Sequence, residues 1–276
     1  MRLLITGAGG QLGHDLQATL TGHELRALDH HALDIADRAS VLAAVSGFRP
    51  DLIINAAAFN DVDGAETQET GAMAVNAEGP GNLAAAAVET SSRLIHISSD
   101  YVFDGRKGAP YDEDDRPNPL SVYARSKLEG ERRVLQSDAD ACVLRTAWLY
   151  GHHGKNFVKS ILQAAERGGP LRVVADQVGS PTSTADLARM IGALIATPAR
   201  GLFHLVNQGA CSRYEFALAI VRGRVEVKPI STAEAARPAP RPANSALTSV
   251  RWSSTGLPPL RSWQAALDAY LDPVLP

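Results

Sequence analysis

Short, almost entirely apolar runs that alternate with helical patterns restrict the fold of this chain more than any other feature. Five such runs fall at residues 3–6, 25–29, 51–55, 94–97 and 142–145. Strands that are apolar along their whole length are covered on both faces, which is typical of parallel sheets with helical crossovers. Ligands bind beyond the carboxyl ends of such strands. The pattern therefore predicts an α/β fold with a doubly wound parallel sheet of the Rossmann type.

The alternation becomes less regular in the second half of the chain. A proline-rich segment at residues 237–244 cannot be helical, so we expect it to be extended, with disorder as the alternative. Two strands and two helices are predicted around it, at residues 171–174, 203–206, 186–195 and 263–271.

These patterns divide the chain into two parts. We predict a dinucleotide-binding Rossmann domain at residues 1–150 and a smaller lobe, mostly substrate-binding, at residues 151–276. A helix near residues 184–197 is expected to return to the first domain.

The composition argues against several classes of partner. The 276 residues carry a net charge of −3, so no strong positive field attracts nucleic acid or an anionic membrane. No apolar run reaches the about 20 residues of a membrane span, and the N-terminal MRLLITGAGG lacks a signal-peptide pattern. Cys142 and Cys211 form no CxxC motif and are expected to be buried thiols. We therefore expect a cytoplasmic protein that binds neither nucleic acid nor membrane.

A glycine-rich loop follows the first predicted strand and opens a helix. Gly7, Gly10 and Gly13 would permit the tight turn and the close approach of backbone to a pyrophosphate, although such turns also occur without a ligand. Asp29 ends the second strand, where a carboxylate can bind an adenosine ribose hydroxyl. No arginine directly follows it, although Arg26 is near. A nicotinamide dinucleotide is predicted, with NADH slightly favoured and NADPH open.

A tyrosine and a lysine lie one helical turn apart further along the chain. At that spacing the Lys127 ammonium can favour the phenolate of Tyr123 and lower its pKa from about 10. Ser99 ends the fourth strand, where its hydroxyl could cap the next segment or bind a carbonyl that Tyr123 protonates. A Tyr-x-x-x-Lys pair also occurs by chance on surfaces, but its order after the glycine loop favours an oxidoreductase.

Five longer segments extend this motif set. Together with it, the sequences HISSDYVFDG, NPLSVYARSK, RTAWLY, DQVGSPT and RPANS, which begin at residues 96, 118, 145, 176 and 241, resemble nucleotide-sugar reductases of the extended short-chain dehydrogenase/reductase family almost end to end. The resemblance implies reduction of the C4 keto group of dTDP-4-dehydro-L-rhamnose to dTDP-L-rhamnose. Two alternatives stay open, namely a reductase or epimerase of another nucleotide sugar and a non-catalytic regulatory subunit.

The resemblance also assigns roles to individual residues. Tyr123 would protonate the substrate oxygen, Lys127 would lower the tyrosine pKa and hold the cofactor ribose, and Ser99 would orient the carbonyl. The family commonly has threonine where this chain has Ser99. Implied cofactor contacts are Gly10, Gln11, Leu12, Asp29, Asp34, Ile35, Ala58, Phe59, Asn60, Tyr123 and Lys127. Implied sugar-nucleotide contacts are Ser99, Asp100 and Trp148, with Val62, Asp63 and Arg241 as weaker candidates.

Some members of the family bind magnesium through carboxylates at a dimer interface, so the resemblance admits a homodimer and a Mg²⁺ ion. Asp15 is the single position that matches such a ligand, and an acid favoured by the first turn of a helix is its more ordinary explanation. The histidine pairs at residues 30–31 and 152–153 lack metal-binding spacing. No metal-binding residue is therefore predicted from this sequence.

Overall fold

The central feature of the computed structural model, which describes residues 1–272, is a six-stranded parallel sheet. The strands among these described residues are β1 Arg2–Thr6, β2 Glu24–Leu28, β3 Leu52–Asn55, β4 Arg93–Ser99, β5 Asp140–Thr146, β6 Leu149–Tyr150, β7 Leu171–Val174, β8 Val178–Gly179, β9 Thr182–Ser183, β10 Gly201–His204, β11 Cys211–Ser212 and β12 Val227–Ile230. The sheet has the order β10-β5-β4-β3-β1-β2, so the strand order reverses between β1 and β3. That reversal places a ligand site at the carboxyl ends of the strands.

Helices cover both faces of the sheet. They are α1 Gln11–Thr19, α2 Arg38–Phe48, α3 Val62–Ala65, α4 Glu69–Met73, α5 Gly79–Thr90, α6 Val122–Leu135, α7 Phe157–Glu166, α8 Thr184–Leu194, α9 Arg213–Val221, α10 Thr232–Ala235 and α11 Trp263–Leu271. A π-helical turn at Ala74–Glu78 joins α4 to α5, and single 3₁₀ turns lie at Asp100–Val102 and Trp252–Thr255.

The reason for the two-sided cover is visible in β1. Leu3 and Ile5 belong to an apolar cluster with residues of α1 and α8, whereas Leu4 belongs to a second cluster with residues of α2 and α5. Successive strand residues point to opposite faces, so a strand that is apolar at every position needs helices on both sides. The predicted α/β Rossmann-type fold is confirmed.

The chain after β5 builds three two-stranded sheets, β6 with β9, β8 with β11 and β7 with β12. Helices α7, α9 and α11 pack around a separate apolar cluster that includes Tyr150, Phe216 and Trp263. The proline-rich segment is extended, because the Val178 N–H donates to the Ala243 carbonyl at 2.8 Å. No helix among residues 1–272 has the length and apolar character that crossing a bilayer requires.

Two later elements return to the central sheet. Helix α8, Thr184–Leu194, packs against α1, and the assignment of the helix near residues 184–197 to the first domain stays a prediction. The strand predicted at residues 203–206 lies instead at Gly201–His204, and it pairs with β5 at the edge of the central sheet rather than within the lobe. Phe203 packs in the α1–α8 cluster, which is why this short strand belongs to the sheet. The domain boundary at residue 150 stays a prediction.

Candidate active site

A cavity of about 360 Å³, here called the inner cavity, lies at the carboxyl ends of β1, β3, β4 and β5. Several parts of the chain meet there: the loop before α1, the residues that follow β3, the end of β4, the first turns of α6 and the start of α9. Of the residues predicted for cofactor or substrate, those that line the inner cavity are Gly10, Gln11, Leu12, Ala58, Asn60, Val62, Ser99, Asp100, Tyr123, Lys127 and Trp148.

The glycine loop has a structural reason for two of its glycines. Gly7 has a φ of +71°, and a Cβ there would lie 2.5 Å from the Ala57 nitrogen. A Cβ on Gly13 would lie 2.3 Å from the Gly7 carbonyl oxygen. Gly10 precedes α1, and no side chain caps that helix start. Its first N–H groups are thus available to an anion such as a pyrophosphate, which fits a dinucleotide.

Other predicted cofactor residues lie outside the lining of the inner cavity. Asp29 accepts hydrogen bonds from the His31 and Ala32 N–H groups at 3.0 and 2.9 Å, so its carboxylate caps its own loop. Asp34 does the same for Ala36 at 2.9 Å. Their contacts with a dinucleotide stay predictions.

Ile35 and Phe59, two apolar residues among the predicted cofactor contacts, each have a structural role. Ile35 is buried in the cluster of α2 and α5, where its side chain fills the space above Gly79. The Phe59 N–H donates to Asn76 Oδ1 at 2.9 Å. Packing and backbone pairing therefore account for both residues, and their predicted cofactor contacts remain untested.

Tyr123 and Lys127 lie in the first turns of α6. Ser121 caps this helix by accepting from the Ala124 N–H at 3.1 Å. The Tyr123 side chain is buried, meets the edge of the Tyr101 ring with centroids 6.0 Å apart, and lines the inner cavity together with Ser99, whose hydroxyl acts to lower the pKa of the phenol. The phenol is thus fixed beside the group predicted to orient a carbonyl.

The acid–base state of this pair is set mainly by burial. Burial raises the pKa of Tyr123 above its ordinary value, and the Asp100 charge adds to the rise. Lys127 donates to the Ile97 carbonyl at 2.7 Å, so its ammonium is directed to the backbone of β4 instead of the phenol. Burial also lowers the pKa of Lys127 to about 8. In this structure burial dominates the pKa of the phenol and the Lys127 ammonium contacts the Ile97 backbone, so the lowering of the tyrosine pKa by Lys127 stays a prediction.

Asp100 is a buried acid beside Ser99. Ser99 Oγ donates to its Oδ1 at 3.1 Å and accepts from the Tyr101 N–H at 3.2 Å, so this serine caps the 3₁₀ turn as well as facing the cavity. The Ser245 hydroxyl donates to Asp100 Oδ2. Burial raises the pKa of Asp100 to about 6 despite these hydrogen bonds.

Trp148 forms the opposite wall, and its environment explains its position. Its backbone is left-handed, with a φ of +46°, and Gly179 lies so close to the indole that a Cβ there would be 2.3 Å from the ring. The guanidinium of Arg213 lies 3.4 Å from the ring centroid of Trp148. No sequence pattern predicts a role for Arg213, because this residue meets Trp148 only in the folded chain.

Asp63 and Arg241 lie together, but outside the inner cavity. Arg241 pairs with the Asp63 carboxylate, which also accepts from the Ala239 N–H at 3.0 Å. This pair lowers the pKa of Asp63, and the Arg241 hydrogen bond is the main cause. Both residues line a second cavity of about 690 Å³, here called the outer cavity. Tyr101 and Arg213 line both cavities.

A buried polar network that sequence analysis missed supports the floor of the inner cavity. Glu131 lies one turn beyond Lys127 on α6 and accepts from Arg145 Nη2 and Nε at 2.6 and 2.9 Å. Ser98, which lines the cavity, donates to the same carboxylate. His204 lies 3.4 Å from Arg145 Nη1. Ser98, Arg145 and Glu131 lie on β4, β5 and α6, so only the fold brings these three side chains together.

Asp15, the single candidate for a magnesium ligand, lies half-buried on α1, with a carboxylate oxygen close to Gly151. Within residues 1–272 no three histidines, cysteines, aspartates or glutamates are arranged to hold a metal ion. One copy of the described chain therefore does not fit a magnesium site at Asp15. Cys142 and Cys211 are buried free thiols, as predicted.

Comparison with known proteins identifies relatives over the whole length. The family model described as the RmlD substrate binding domain matches residues 1–275. The dTDP-4-dehydrorhamnose reductase of Mycobacterium tuberculosis strain H37Rv is 46% identical over 96% of this chain and 91% of that protein. A probable dTDP-4,6-dihydroxy-2-methyloxan-3-one 4-ketoreductase of Streptomyces antibioticus is 45% identical over 97% of this chain and 93% of that protein.

A solved structure agrees with these relatives. The dTDP-4-dehydrorhamnose reductase of Bacillus anthracis, solved in complex with NADP, superposes with a TM-score of 0.96 at 38% identity and covers 99% of each chain. The predicted resemblance to nucleotide-sugar reductases is confirmed. The chain belongs to the RmlD substrate binding domain family.

Proposed function

We propose that this protein is a dTDP-4-dehydrorhamnose reductase, which reduces the C4 keto group of dTDP-4-dehydro-L-rhamnose to give dTDP-L-rhamnose. The observation that carries the proposal is the buried Tyr123 phenol, which lines one cavity together with Ser99, Lys127 and the glycine loop. Relatives at 46% and 38% identity bear this enzyme name.

The dinucleotide, NADPH or NADH, supplies a hydride when bound. Gly10, Gln11 and Leu12 at the start of α1 would hold its pyrophosphate, and Ala58 and Asn60 present a small and a polar side chain beside it. The NADP bound to the Bacillus anthracis relative supports the phosphorylated form, while Asp29 disfavours a 2′-phosphate through its charge. We leave both forms in the proposal and test them together.

Tyr123 is suited to deliver a proton in the direction of reduction. A general acid must hold its proton until the substrate oxygen becomes basic, and burial keeps the phenol protonated by raising its pKa. Ser99 lines the same cavity and would orient the carbonyl next to the phenol. Lys127, with a pKa of about 8, is mostly charged at neutral pH. Its charge would stabilise the negative charge that develops on the substrate oxygen during reduction.

A 4-ketoreductase of another dTDP-linked deoxysugar is the second candidate. The Streptomyces antibioticus relative, with a different named substrate, is 45% identical, almost as similar as the Mycobacterium tuberculosis protein. A regulatory subunit without activity is disfavoured, because Tyr123, Lys127 and Ser99 line one cavity.

The test is an assay of purified protein with dTDP-4-dehydro-L-rhamnose and each of NADPH and NADH. The loss of absorbance of the reduced nicotinamide measures the rate. We expect turnover with at least one cofactor and dTDP-L-rhamnose as the product. A kcat/KM for dTDP-4-keto-6-deoxy-D-glucose that exceeds the value for the proposed substrate would favour the second candidate. No turnover of either compound would contradict both.

The family resemblance also predicts where and in what form the protein works. Two buried free thiols are consistent with a reducing, cytosolic compartment. A homodimer with magnesium between two copies would need carboxylates from both chains, since one described chain offers no cluster around Asp15. Sedimentation with Mg²⁺ and with a chelator tests this expectation.

A further inference from the structure

The junction between the inner and outer cavities is formed by Arg213, the first residue of α9. Its backbone N–H donates to the Gln177 carbonyl at 3.1 Å. Ser212, which precedes Arg213, and Glu215, which follows it, form a capping box at the start of the helix. These contacts fix the backbone from which the arginine side chain enters the junction.

The side chain is held between aromatic rings. The guanidinium carbon lies 3.4 Å from the Trp148 ring centroid and 5.1 Å from the Phe157 ring centroid. Stacking of this kind restricts the orientation of a planar guanidinium and leaves its edge N–H groups free to donate. Gly179 supports the Trp148 ring from its own backbone, so the stack rests on a rigid base.

Arg213 differs from the other arginines of the outer cavity in its lack of a carboxylate partner among the described residues. Arg172 pairs with Glu234 at 3.2 Å, Arg237 pairs with Asp63 at 3.8 Å, and Arg241 pairs with the same aspartate. No carboxylate within residues 1–272 lies at ion-pair distance from Arg213.

The groups that do face Arg213 neutralise it only weakly. Tyr101 and Asp100 lie near enough to raise the pKa of Arg213, against the lowering by burial, but neither forms an ion pair with it. The Asp100 carboxylate is already engaged by the hydroxyls of Ser99 and Ser245. A half-buried cation without a paired anion is partly desolvated at a cost, so this site is complementary to an anionic ligand.

The position of Arg213 matches one part of the substrate. In a sugar nucleotide the diphosphate joins C1 of the sugar to the nucleoside, and C4 lies across the ring from C1. With C4 beside Tyr123 in the inner cavity, the diphosphate falls toward the cavity mouth, and the nucleoside lies beyond it. Arg213 and Tyr101 line both cavities, and the Tyr101 ring meets Tyr123 edge-on.

We propose that Arg213 binds the diphosphate of the sugar nucleotide, with the sugar in the inner cavity and the nucleoside in the outer cavity. This inference rests on the proposed function and names the subsite that would select a nucleoside diphosphate sugar over a free sugar. Lys155, another cation on the inner cavity, lies beside Gln11 at the glycine loop and belongs to the dinucleotide side.

The experiment measures binding of dTDP and of thymidine by titration calorimetry in the wild type and in Arg213→Gln. We expect the Kd of dTDP to rise by about tenfold or more, because charged hydrogen bonds to phosphate are lost. The Kd of thymidine and the Kd of NADPH should stay within about twofold, which also shows that the variant is folded. Arg213→Lys keeps the charge and loses the planar arrangement of donors. Its Kd for dTDP should lie between the values for the wild type and Arg213→Gln.

Arg200→Gln is the matched control, since it removes the same charge at a residue that pairs with Asp140 and lines neither cavity. Its dTDP affinity should stay near that of the wild type. An equal loss in both variants, an unchanged dTDP affinity in Arg213→Gln, or an equal loss for thymidine would overturn the inference. If the wild type turns over the proposed substrate while Arg213→Gln binds dTDP normally, only the inference fails. If the wild type neither reduces the substrate nor binds dTDP, the proposed function fails with it.

Discussion

The two sides of the inner cavity are built in different ways. The side that carries Tyr123, Lys127 and Ser99 rests on the central sheet and on α6, with the buried Glu131–Arg145 pair beneath it. The opposite side, with Trp148 and Arg213, consists of a loop after β5 and a helix start. We call these the sheet side and the loop side. The difference suggests that the sheet fixes the reacting groups, whereas loop contacts select the substrate.

Two ion pairs make the contrast measurable. Glu131 and Arg145 have side chains that are 2% and 3% exposed, whereas Asp63 and Arg241, near the loop side, are 26% and 13% exposed. Removal of one partner from a buried pair leaves the other charge without compensation, and this costs far more than the loss of a partly solvated pair.

The largest expected effect is therefore on stability. Glu131→Gln should lower the free energy of unfolding by about 3–5 kcal/mol. Asp63→Asn should lower it by about 1 kcal/mol or less. Denaturant titrations of both variants measure the difference. Equal losses would show that the sheet side is no more rigidly supported than the rim of the outer cavity.

The next effect separates chemistry from binding. Tyr123→Phe should reduce kcat by about 10²-fold or more, because a positioned proton donor is lost. The Kd of NADPH should stay unchanged, since the ring and its packing remain. Steady-state kinetics with cofactor titration measure both quantities. Activity within a few-fold of the wild type would remove Tyr123 from its proposed role.

The loop side should respond differently. Trp148→Ala should raise KM for the sugar nucleotide by about tenfold and leave the cofactor Kd unchanged, because an apolar face and the support of Arg213 are lost. Trp252→Ala is the matched control: this buried tryptophan lies outside the inner cavity. It should cost about 3–5 kcal/mol of stability without a change in KM. If the KM of Trp148→Ala for the sugar nucleotide equals that of the wild type, a substrate contact of Trp148 is contradicted.

The smallest effect concerns pH. Burial lowers the pKa of Lys127 to about 8, so its ammonium is present at neutral pH and is lost as the pH rises through that value. We expect kcat/KM for reduction to fall above about pH 8, by at most tenfold per pH unit. Lys127→Arg keeps its charge and should lose this alkaline decline. A decline that persists in the arginine variant would assign it to another group.

The sheet side was also the more predictable one. Its strands are apolar at every position, and the residues at their ends follow within a few positions, so short sequence patterns located Ser99, Tyr123 and Lys127. The exceptions are tertiary. The raised pKa of Tyr123 depends on burial, and β10 belongs to the central sheet because Phe203 packs there.

The loop side shows what local patterns omit. Trp148 was recognised from a motif, but Arg213 meets it from a distant helix, and nothing in the spacing of the two residues indicates that contact. Arg241 was predicted near the substrate, and its pairing with Asp63 places it at the outer cavity instead of the inner one. The Glu131 network is also formed by distant residues.

Deuterium transfer tests the central claim most directly. The wild-type protein is incubated with dTDP-4-dehydro-L-rhamnose and NADPH or NADH in which both hydrogens at C4 of the nicotinamide are deuterium, and the product is analysed by mass spectrometry and NMR. We expect a single deuterium at C4 of the sugar in dTDP-L-rhamnose. A reduced product without deuterium, deuterium at another sugar carbon, or no reduction with either cofactor would contradict the assignment of this cavity as a C4 reductase site.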